Sequence, residues 1–445
     1  MPKKKTALTI EERLQQALVP AEEQPYEVPE NWVWVRLGSL LKEIKNGTTI
    51  KQDKSGNGFS VTRIESLQNQ TIDLMRVGTI LETEKIKETD WYKSGDITLS
   101  HINSIEHVGK TALITDAMLP LVHGMNLLRL RFFEIYTPDL FQLYSQTYQY
   151  KNEIRSRINM AVNQVSINQK QLSSLEIPLP PLSEQQRIVE RIEELFAKLD
   201  EAKERLQEVA DSFAVRKAAI LHKAFTGELT KQWRLENGVS DESWEDVSLD
   251  SVCKSIYDGD HMPPPKSETG IPFLVISNVN TGFISFEKCR FVPEEYYDGL
   301  SETRTPEIGD ILYTIVGSYG IPVMVDTDKK FCFQRHMALL KPKDIYNRFL
   351  WRQLQTQSFF EQATSIATGT AQLTVPIKGL RKLIVKCPTL PEQHEIVRLI
   401  DDLLARERSA QQATEQALAS IDLMKKSILA RAFRGELGTN KASEA

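Results

Sequence analysis

The chain has 445 residues, of which 41% are hydrophobic and 26% charged, and its formal net charge is -5. This length exceeds what one hydrophobic core serves, and the negative charge excludes DNA binding through bulk positive charge alone. No apolar run approaches the ~18 residues of a membrane span, and the start lacks the apolar segment of a secretory signal. The four cysteines are scattered without CxxC spacing, so we expect a cytoplasmic protein with reduced thiols.

In chain order, the predicted elements are a helical N-terminal arm, a globular domain, a long helix, a second globular domain and another long helix. Both globular domains combine short β-like runs, punctuated by Gly, Asn, Asp and Pro, with later helical stretches. The predicted fold class is therefore α+β. The arm either packs on the long helices or binds another subunit, and the sequence leaves both open. The predicted bounds are 1–28, 29–171, 172–239, 240–379 and 380–445.

The chain carries an internal repeat whose offset varies. The sequence LSEQQRIV at Leu182 returns as LPEQHEIV at Leu390, and AFTGEL at Ala224 returns as AFRGEL at Ala432. Both offsets are 208 residues, so the segments between these blocks have equal length, as paired helices require. The pattern predicts a pseudo-two-fold repeat in which helices of fixed length alternate with domains of variable length. Matches inside the domains have offsets of 212, 214 and 208 residues: Trp32–Gly47 with Trp244–Gly259, Gly95–Ile97 with Gly309–Ile311, and Val165–Ile167 with Leu373–Val375.

Both long helices show the apolar periodicity of a coiled coil, with Glu407 and Thr414 interrupting the second. Each helix begins acidic and ends basic, which favours antiparallel pairing because acidic starts then face basic ends. The alternative, two amphipathic helices on separate domain cores, is disfavoured by their length and equal spacing. Thr389 with Glu392 is a predicted capping box. The predicted seam comprises Ile188, Ile192, Leu195, Leu199, Ala202, Leu206, Val209 and Phe213, then Ile396, Ile400, Leu403, Ala410, Ala417, Ile421, Met424 and Ile428.

These features resemble the specificity subunits of type I restriction-modification systems. The helix start PLPPLSEQ at Pro178–Gln185 and the helix ends FTGEL at Phe225–Leu229 and FRGEL at Phe433–Leu437 carry the resemblance, together with the domain order. It covers nearly the whole chain; the second copy departs slightly, with Cys387–Thr389 where the first has Leu179–Pro181.

The resemblance implies two target-recognition domains that each read one half of a split double-stranded DNA sequence. It also implies two modification subunits that carry S-adenosylmethionine and methylate adenine, and restriction subunits that join them for ATP-dependent cleavage. The chain itself is then expected to have no catalytic residue and no cofactor.

Polar residues in Gly-rich loops are the predicted base-reading residues, because Arg reads guanine and Asn or Gln reads adenine. Each is equally compatible with a solvated loop position or a turn. Lys170, Lys378 and Arg381, near the joins between domains and helices, are candidates for phosphate contacts or for local ion pairs. The base-reading candidates are Thr48, Thr49, Lys51, Lys54, Arg63, Ser100, His101, Asn103, His123 and Asn126 in the first domain, and His261, Lys266, Asn278, Ser318, Tyr319, Arg335 and His336 in the second.

Charge differs between the two predicted domains. Residues 29–171 contain 17 basic and 15 acidic side chains, whereas residues 240–379 contain 13 and 19. Because neither domain is strongly basic, we hypothesise that partner subunits supply much of the phosphate contact.

Two other functions compete with DNA readout. One is a coiled-coil protein-interaction scaffold without base-specific readout. The other is a self-sufficient DNA methyltransferase or nuclease. The sequence disfavours this second alternative, because it shows no Asn/Asp-Pro-Pro-aromatic motif, no Walker sequence and no cluster with metal-ligand spacing.

Overall fold

The computed structural model describes residues 9–53, 56–161, 164–260, 264–370 and 372–441. The chain divides into two compact units. Unit 1 comprises residues 1–206 and 417–445, and unit 2 comprises residues 207–416. Each unit therefore contains one globular domain and one part of each long helix.

Unit 1 begins with a short helix and continues as a mixed β-sheet and helix domain. Its elements are α1 Ile10–Gln16, β1 Val33–Arg36, α2 Leu37–Leu40, β2 Leu41–Asn46, β3 Phe59–Val61, β4 Leu67–Gln68, β5 Thr71–Ile72, β6 Gly78–Ile80, β7 Ile97–Ser100, β8 Ile102–Asn103, β9 Thr111–Leu113, β10 Leu127–Phe132, α3 Pro138–Tyr144, α4 Tyr148–Arg157, β11 Asn159–Met160, β12 Val165–Ser166, α5 Gln169–Ser173 and β13 Glu176–Leu179. The long helix α6, Leu182–Phe225, follows and continues into unit 2.

Unit 2 repeats this plan with a different set of small strands. Its elements after α6 are α7 Lys231–Asn237, β14 Glu245–Ser248, β15 Cys253–Asp258, β16 Ile271–Leu274, β17 Arg290–Val292, α8 Glu294–Asp298, β18 Ile311–Thr314, β19 Pro322–Met324, β20 Cys332–Phe333, β21 Met337–Pro342, α9 Asn347–Gln353, α10 Gln357–Ser365, α11 Ile377–Leu380 and β22 Ile384–Cys387. The second long helix, α12, spans Leu390–Ala432 and ends in unit 1.

A four-stranded antiparallel sheet forms the centre of each domain. Its strand order is β2-β10-β7-β9 in unit 1 and β15-β21-β18-β19 in unit 2. A separate two-stranded ladder, β1 with β13 or β14 with β22, brings the first strand of each domain to the strand before the long helix. The same topology occurs twice, which confirms the predicted repeat and the α+β fold class.

The units differ mainly in the chain segment that connects the first two strands of the central sheet, β2 to β7 in unit 1 and β15 to β18 in unit 2. Unit 1 places the ladders β3-β6 and β4-β5 there, whereas unit 2 has β16 and β17, which join β20 in a three-stranded sheet. The variable offset of the sequence repeat therefore reflects different small strands attached to the same central sheet.

The repeated Gly-Asp-Ile sequence has a structural role. Asp96 and Asp310 are buried at the start of the second sheet strand. Asp96 forms an ion pair of 2.7 Å with Arg131, and Asp310 forms one of 2.7 Å with Lys341. Both cations lie on the central strand, β10 or β21. Each buried carboxylate therefore joins two neighbouring strands, since a buried charge needs a partner.

The two long helices run antiparallel within each unit. In unit 1, Asp200 pairs with Lys425 and Lys203 with Asp422, so position rises along α6 as it falls along α12. In unit 2, Arg216 pairs with Glu407. The predicted antiparallel pairing is confirmed within each unit, and Glu407, which interrupts the apolar seam, takes part in it.

The predicted seam is buried near the ends of the helices and more exposed in between. Ile188, Ile192, Ile396 and Ile400 are fully buried against the domain cores. Val209 and Met424 are 40% and 50% exposed, and Ala202 and Ala410 are exposed as well, so the predicted burial of these four residues is wrong. The seam pattern identified the helices but not which positions the globular domains cover.

Two local predictions also change. The Glu392 carboxylate does not cap its own helix: it accepts hydrogen bonds from Thr230 and Arg234, each at 2.7 Å, so the predicted capping box at Thr389 is wrong. The N-terminal arm packs on its own domain, where the backbone N–H of Val19 donates to Trp34 O at 2.9 Å.

Candidate nucleic-acid interface

Three loops leave one end of the central sheet in unit 1. Asn46, at the end of β2, pairs with Leu128, and Ser100, at the end of β7, pairs with Leu127 at the start of β10. The loops after β2 and β7 and the loop before β10 therefore lie at the same end of the sheet. Because loops positioned by a rigid scaffold commonly bind ligands, this end is the candidate interface.

The same three loops occur in unit 2. Asp258 at the end of β15 pairs with Ala338, and Thr314 at the end of β18 pairs with Met337. The loops after β15 and β18 and the loop before β21 thus leave equivalent positions. We call each set of three loops the reading end of its unit.

Matched glycines let two loops of each reading end approach closely. A Cβ atom on Gly47 would lie 1.8 Å from the carbonyl oxygen of Gly124. A Cβ atom on Gly259 would lie 2.3 Å from the carbonyl oxygen of Phe333. Only glycine permits such backbone approach, so both units need it at this position of the repeat.

Most candidates of the first domain gather at the reading end of unit 1. Thr49 and Lys51 are exposed, whereas His101, Asn103 and Asn126 are half-buried. Lys54 lies outside the described residues. The candidates brought together are Thr48, Thr49, Lys51, Ser100, His101, Asn103, His123 and Asn126.

Two of these candidates hold the loops in place. His123 is fully buried, and its Nε2 lies 3.0 Å from the carbonyl oxygen of Leu127. Burial and the nearby positive charge of Arg129 lower the pKa of His123 to about 3, so the ring is neutral near pH 7. Ser100 is buried as well, and its Oγ accepts a hydrogen bond of 3.0 Å from the Asn103 amide.

The loops of unit 2 carry a more exposed set. Lys266, Ser318 and Arg335 are exposed, and His336 is half-buried. Burial and the adjacent Arg335 lower the pKa of His336. His261 lies outside the described residues. Arg335 stands on the three-residue turn between β20 and β21, which positions a guanidinium at the reading end.

Tyr319 is tied to helix α10. Its ring stacks on Phe360 with centroids 5.4 Å apart, and its hydroxyl lies 3.0 Å from Thr364 Oγ1. Tyr319 therefore fixes the loop after β18 against the helix.

Two further candidates have local partners. Arg63 follows β3 and forms an ion pair of 2.7 Å with Glu65. Asn278 is 5% exposed, and its amide donates to the carbonyl oxygens of Ser285 and Glu287 at 3.1 Å each. The Asn278 amide thus closes its own loop, a role that polarity and loop position alone do not distinguish from base reading.

A fourth segment joins each reading end and was not among the candidates. In unit 1, β12 pairs with β11 and with β8, which carries Asn103. In unit 2, Gly317 N–H donates to Leu373 O at 2.9 Å, and Thr368 bridges to Thr374. Exposed amides on this segment include Gln164 and Gln372. The signal that marks it is the repeated Val-Ser-Ile and Leu-Thr-Val triplet.

Near the joins, Lys170 and Lys378 are exposed. Arg381 instead has local partners: its guanidinium donates to Ile256 O at 2.6 Å and stacks over the Tyr257 ring at 5.0 Å. Arg381 also pairs with Asp250 at 3.6 Å, so the alternative of a local ion pair holds for this residue.

A repeated Glu-Gln pair fixes the start of each long helix. Gln185 accepts from Thr137 N–H at 2.9 Å and donates to Pro180 O at 3.0 Å. Gln393 likewise accepts from Tyr346 N–H and donates to Pro388 O, both at 2.8 Å. Because both amides are buried and bonded at both ends, the glutamine of each pair sets the position of the helix on its domain.

The preceding glutamates have different partners. Glu184 accepts from Trp32 Nε1 at 2.9 Å and from the Asn440 amide at 3.3 Å, within unit 1. Glu392 accepts from Thr230 and from the buried guanidinium of Arg234, within unit 2. Each glutamate thus bonds residues that follow the end of a long helix.

Within the described ranges, no His, Cys, Asp and Glu side chains group as a metal site would require. None of the helices described is both long and apolar enough to cross a membrane.

Comparisons with known proteins agree with this architecture. A family model for the type I restriction modification DNA specificity domain matches residues 29–211 and 241–418. A Methanocaldococcus jannaschii protein, named as the putative type I restriction enzyme MjaX specificity subunit, is 29% identical, with 89% of this chain and 92% of that protein covered. The EcoKI specificity subunit of Escherichia coli K12 is 26% identical, with 92% and 90% covered.

A solved structure shares the fold. The HsdS subunit from Thermoanaerobacter tengcongensis superposes with a TM-score of 0.64 at 19% identity, covering 93% of this chain and 99% of that one.

Proposed function

Because the chain belongs to the type I restriction modification DNA specificity family, we propose that each unit reads one half of a bipartite DNA target. The proposed recognition domains are residues 29–171 and 240–379. The arm is 1–28, and the segments with the long helices are 172–239 and 380–445.

The observation that supports this proposal most directly is the duplicated reading end. Each unit has its own central sheet and presents loops at the equivalent end of it, and the side chains on those loops differ between the units. A shared scaffold with different loop side chains suits two DNA half-sites of different sequence. Exposed Arg335, and the exposed amides Gln164 and Gln372, are the side chains we assign to base edges. The other candidates at the two reading ends remain part of the proposed interface.

Partner subunits complete the proposed complex. We propose that two modification subunits dock on the long helices and carry S-adenosylmethionine, and that restriction subunits join them. The chain contributes no catalytic group and no cofactor in this proposal. The modest charge of both domains supports a role for the partners in phosphate contact. The four unpaired thiols suit a cytoplasmic complex.

The scaffold alternative assigns no role to the two reading ends. The relatives described above are named specificity subunits, which favours DNA readout. Methyl transfer by the purified chain with S-adenosylmethionine alone would instead support the self-sufficient enzyme.

The decisive experiment determines the methylated sequences of a host that carries this chain and its modification subunits. The Arg335→Ala variant is expected to relax one base position in one half-site, at a discrimination cost of about 1–3 kcal/mol. The other half-site should remain unchanged. Lys51→Ala, in unit 1, is the matched variant and should leave the half-site read by unit 2 intact. Relaxation of both half-sites by Arg335→Ala, or no methylation motif at all, would contradict the proposal.

A second experiment addresses the unread gap between the half-sites. Helix α6 has 44 residues and α12 has 43, so each is about 65 Å long at ~1.5 Å per residue. Removing one heptad from both helices keeps the seam nearly in phase and shortens each by about 10 Å. We expect a preferred gap shorter by about one to three base pairs at ~3.4 Å each. An unchanged gap would show that the helices do not set it.

A further inference from the structure

Unit 1 contains a cationic cavity beside its reading end. The cavity has a volume of about 320 Å³ and lies between α4 and the loop that joins β8 to β9. Lys110, Lys151 and Arg155 line it, with Glu106 as the one lining carboxylate. The loop that forms one wall continues directly from Asn103, so the cavity adjoins the proposed base-reading residues.

The positive charge of this cavity is poorly compensated. Within the described ranges, no ion pair joins Lys110, Lys151 or Arg155 to a carboxylate, and the neighbouring Glu153 pairs with Arg157 instead. Burial, followed by the charges of Lys426, Arg155 and Lys110, lowers the pKa of Lys151. Lys426 belongs to the part of α12 that lies in unit 1. Cations that share a cleft in this way raise its affinity for an anion.

The positions equivalent to two of these cations carry no charge in unit 2. Thr147 and Thr356 cap α4 and α10 in the same way, each accepting from the N–H three residues later. Counted from these caps, Lys151 corresponds to Phe360 and Arg155 corresponds to Thr364. There Tyr319 stacks on Phe360 and bonds to Thr364. The fold therefore does not require cations at this position, and those of unit 1 need another explanation.

We propose that Lys110, Lys151 and Arg155 bind a phosphate of the DNA backbone next to the half-site read by unit 1. This inference rests on the proposed function. Phosphate contacts fix the register of a protein on the duplex without carrying sequence information. A lysine provides a compact charge and an arginine a planar fork, which together suit a phosphate group. Unit 2 then depends on its partners for the corresponding contact.

The test measures DNA affinity against salt concentration for the full chain with its modification subunits. Replacing Lys151 and Arg155 by Gln is expected to reduce the slope of log K against log salt by about 0.9, because the proposed site neutralises one phosphate and each neutralised phosphate contributes about 0.9. The base preference of both half-sites should stay unchanged. Lys85→Gln with Lys343→Gln removes the same charge from two exposed sites and serves as the control; its slope should match that of the unsubstituted chain.

A slope unchanged by the double substitution, with target preference retained, overturns the proposal. Titration of inorganic phosphate without DNA separates the two sources of phosphate. Saturable stabilisation of the chain by phosphate, lost in the variant without any change in DNA slope, would assign the cavity to a small anion and also overturn it. If the variant shows a smaller slope on every duplex and the unsubstituted chain shows no target preference, the cavity assignment is supported and the proposed function fails.

Discussion

The two units build the same sheet and fill its surroundings differently. Beside α4, unit 1 has the cationic cavity. Beside the equivalent helix α10, unit 2 packs Tyr319 on Phe360. At the reading end, unit 1 buries His123, whereas the turn before β21 in unit 2 carries exposed Arg335. The contrast shows which residues serve the fold in both copies and which differ between the copies.

The shared residues are those that hold the repeat together. The Gly-Asp-Ile strand start, the close approach at Gly47 and Gly259, and the glutamine at the start of each long helix have equivalent contacts in both units. Residues that differ lie on the loops and on the exposed side of α4 and α10. Variation of this kind lets one scaffold carry two separate specificities.

The largest expected effect is the loss of stability when the glutamate at the start of either long helix is replaced, and it should differ between the two helices. Glu392→Ala leaves the buried Arg234 without its carboxylate, so we expect a loss of about 3–5 kcal/mol in unit 2. Glu184→Ala removes an acceptor from neutral donors and should cost unit 1 about 1–3 kcal/mol. Hydrogen exchange of β21 and β10 measures each unit. Glu415→Ala, at an exposed position of α12, is the control and should cost less than about 1 kcal/mol. Equal losses in unit 1 and unit 2 would remove the proposed difference.

Acid sensitivity should be greater in unit 1. Between about pH 6.5 and pH 3, the unfolded chain binds a proton at His123 that the folded unit does not, because the folded pKa is about 3. Stability is therefore complete above pH 6.5 and is lost as the pH falls. From pH 7 to pH 5 the expected loss is about 2 kcal/mol, at ~1.36 kcal/mol per pH unit.

The matched variant for this prediction is His123→Phe. Thr48 bridges to Gly124 as Asp260 bridges to Gln334, so Phe333 is the residue of unit 2 that corresponds to His123. Hydrogen exchange of β10 at pH 7 and pH 5 should then show a smaller acid loss than in the unsubstituted chain. The lowered pKa of His336 also makes unit 2 lose stability in acid. Hydrogen exchange of β21 measures that loss, with which the loss in unit 1 is compared. An acid loss in unit 1 that is unaffected by His123→Phe would contradict the assignment.

The smallest expected effect concerns the fourth segment of each reading end. Gln164→Ala and Gln372→Ala should each weaken discrimination by about 1 kcal/mol, or roughly fivefold, at one position of one half-site. The measurement is the affinity ratio between the target and its single-base variants. Thr370→Ala, on the same loop as Gln372, is the control. Loss of discrimination in the opposite half-site would break the correspondence between unit and half-site.

Sequence patterns predicted the repeat, the long helices and most of both reading ends. Loop polarity and glycine spacing selected Thr49, Lys51 and Arg335, which lie at the reading ends. These criteria succeed because the repeat shows where strands end and loops begin. The same criteria included Asn278, whose amide bonds its own loop, and missed Gln164 and Gln372. The contacts that bring Gln164 and Gln372 to the reading ends, β12 with β8 and Leu373 with Gly317, join residues far apart in sequence, and periodicity carries no information about such partners. The exposed Val209 and Met424 have the same cause, since heptad spacing does not show where the domains end.

The contact of Glu184 with Asn440 has a consequence for synthesis of the chain. Unit 2 is one continuous stretch, residues 207–416, whereas unit 1 needs residues 417–445 as well. Leu429, Ala432 and Phe433 belong to the core of unit 1. On the ribosome, the domain translated first must therefore wait for the last turns of the chain, and the domain translated second is able to complete its fold earlier.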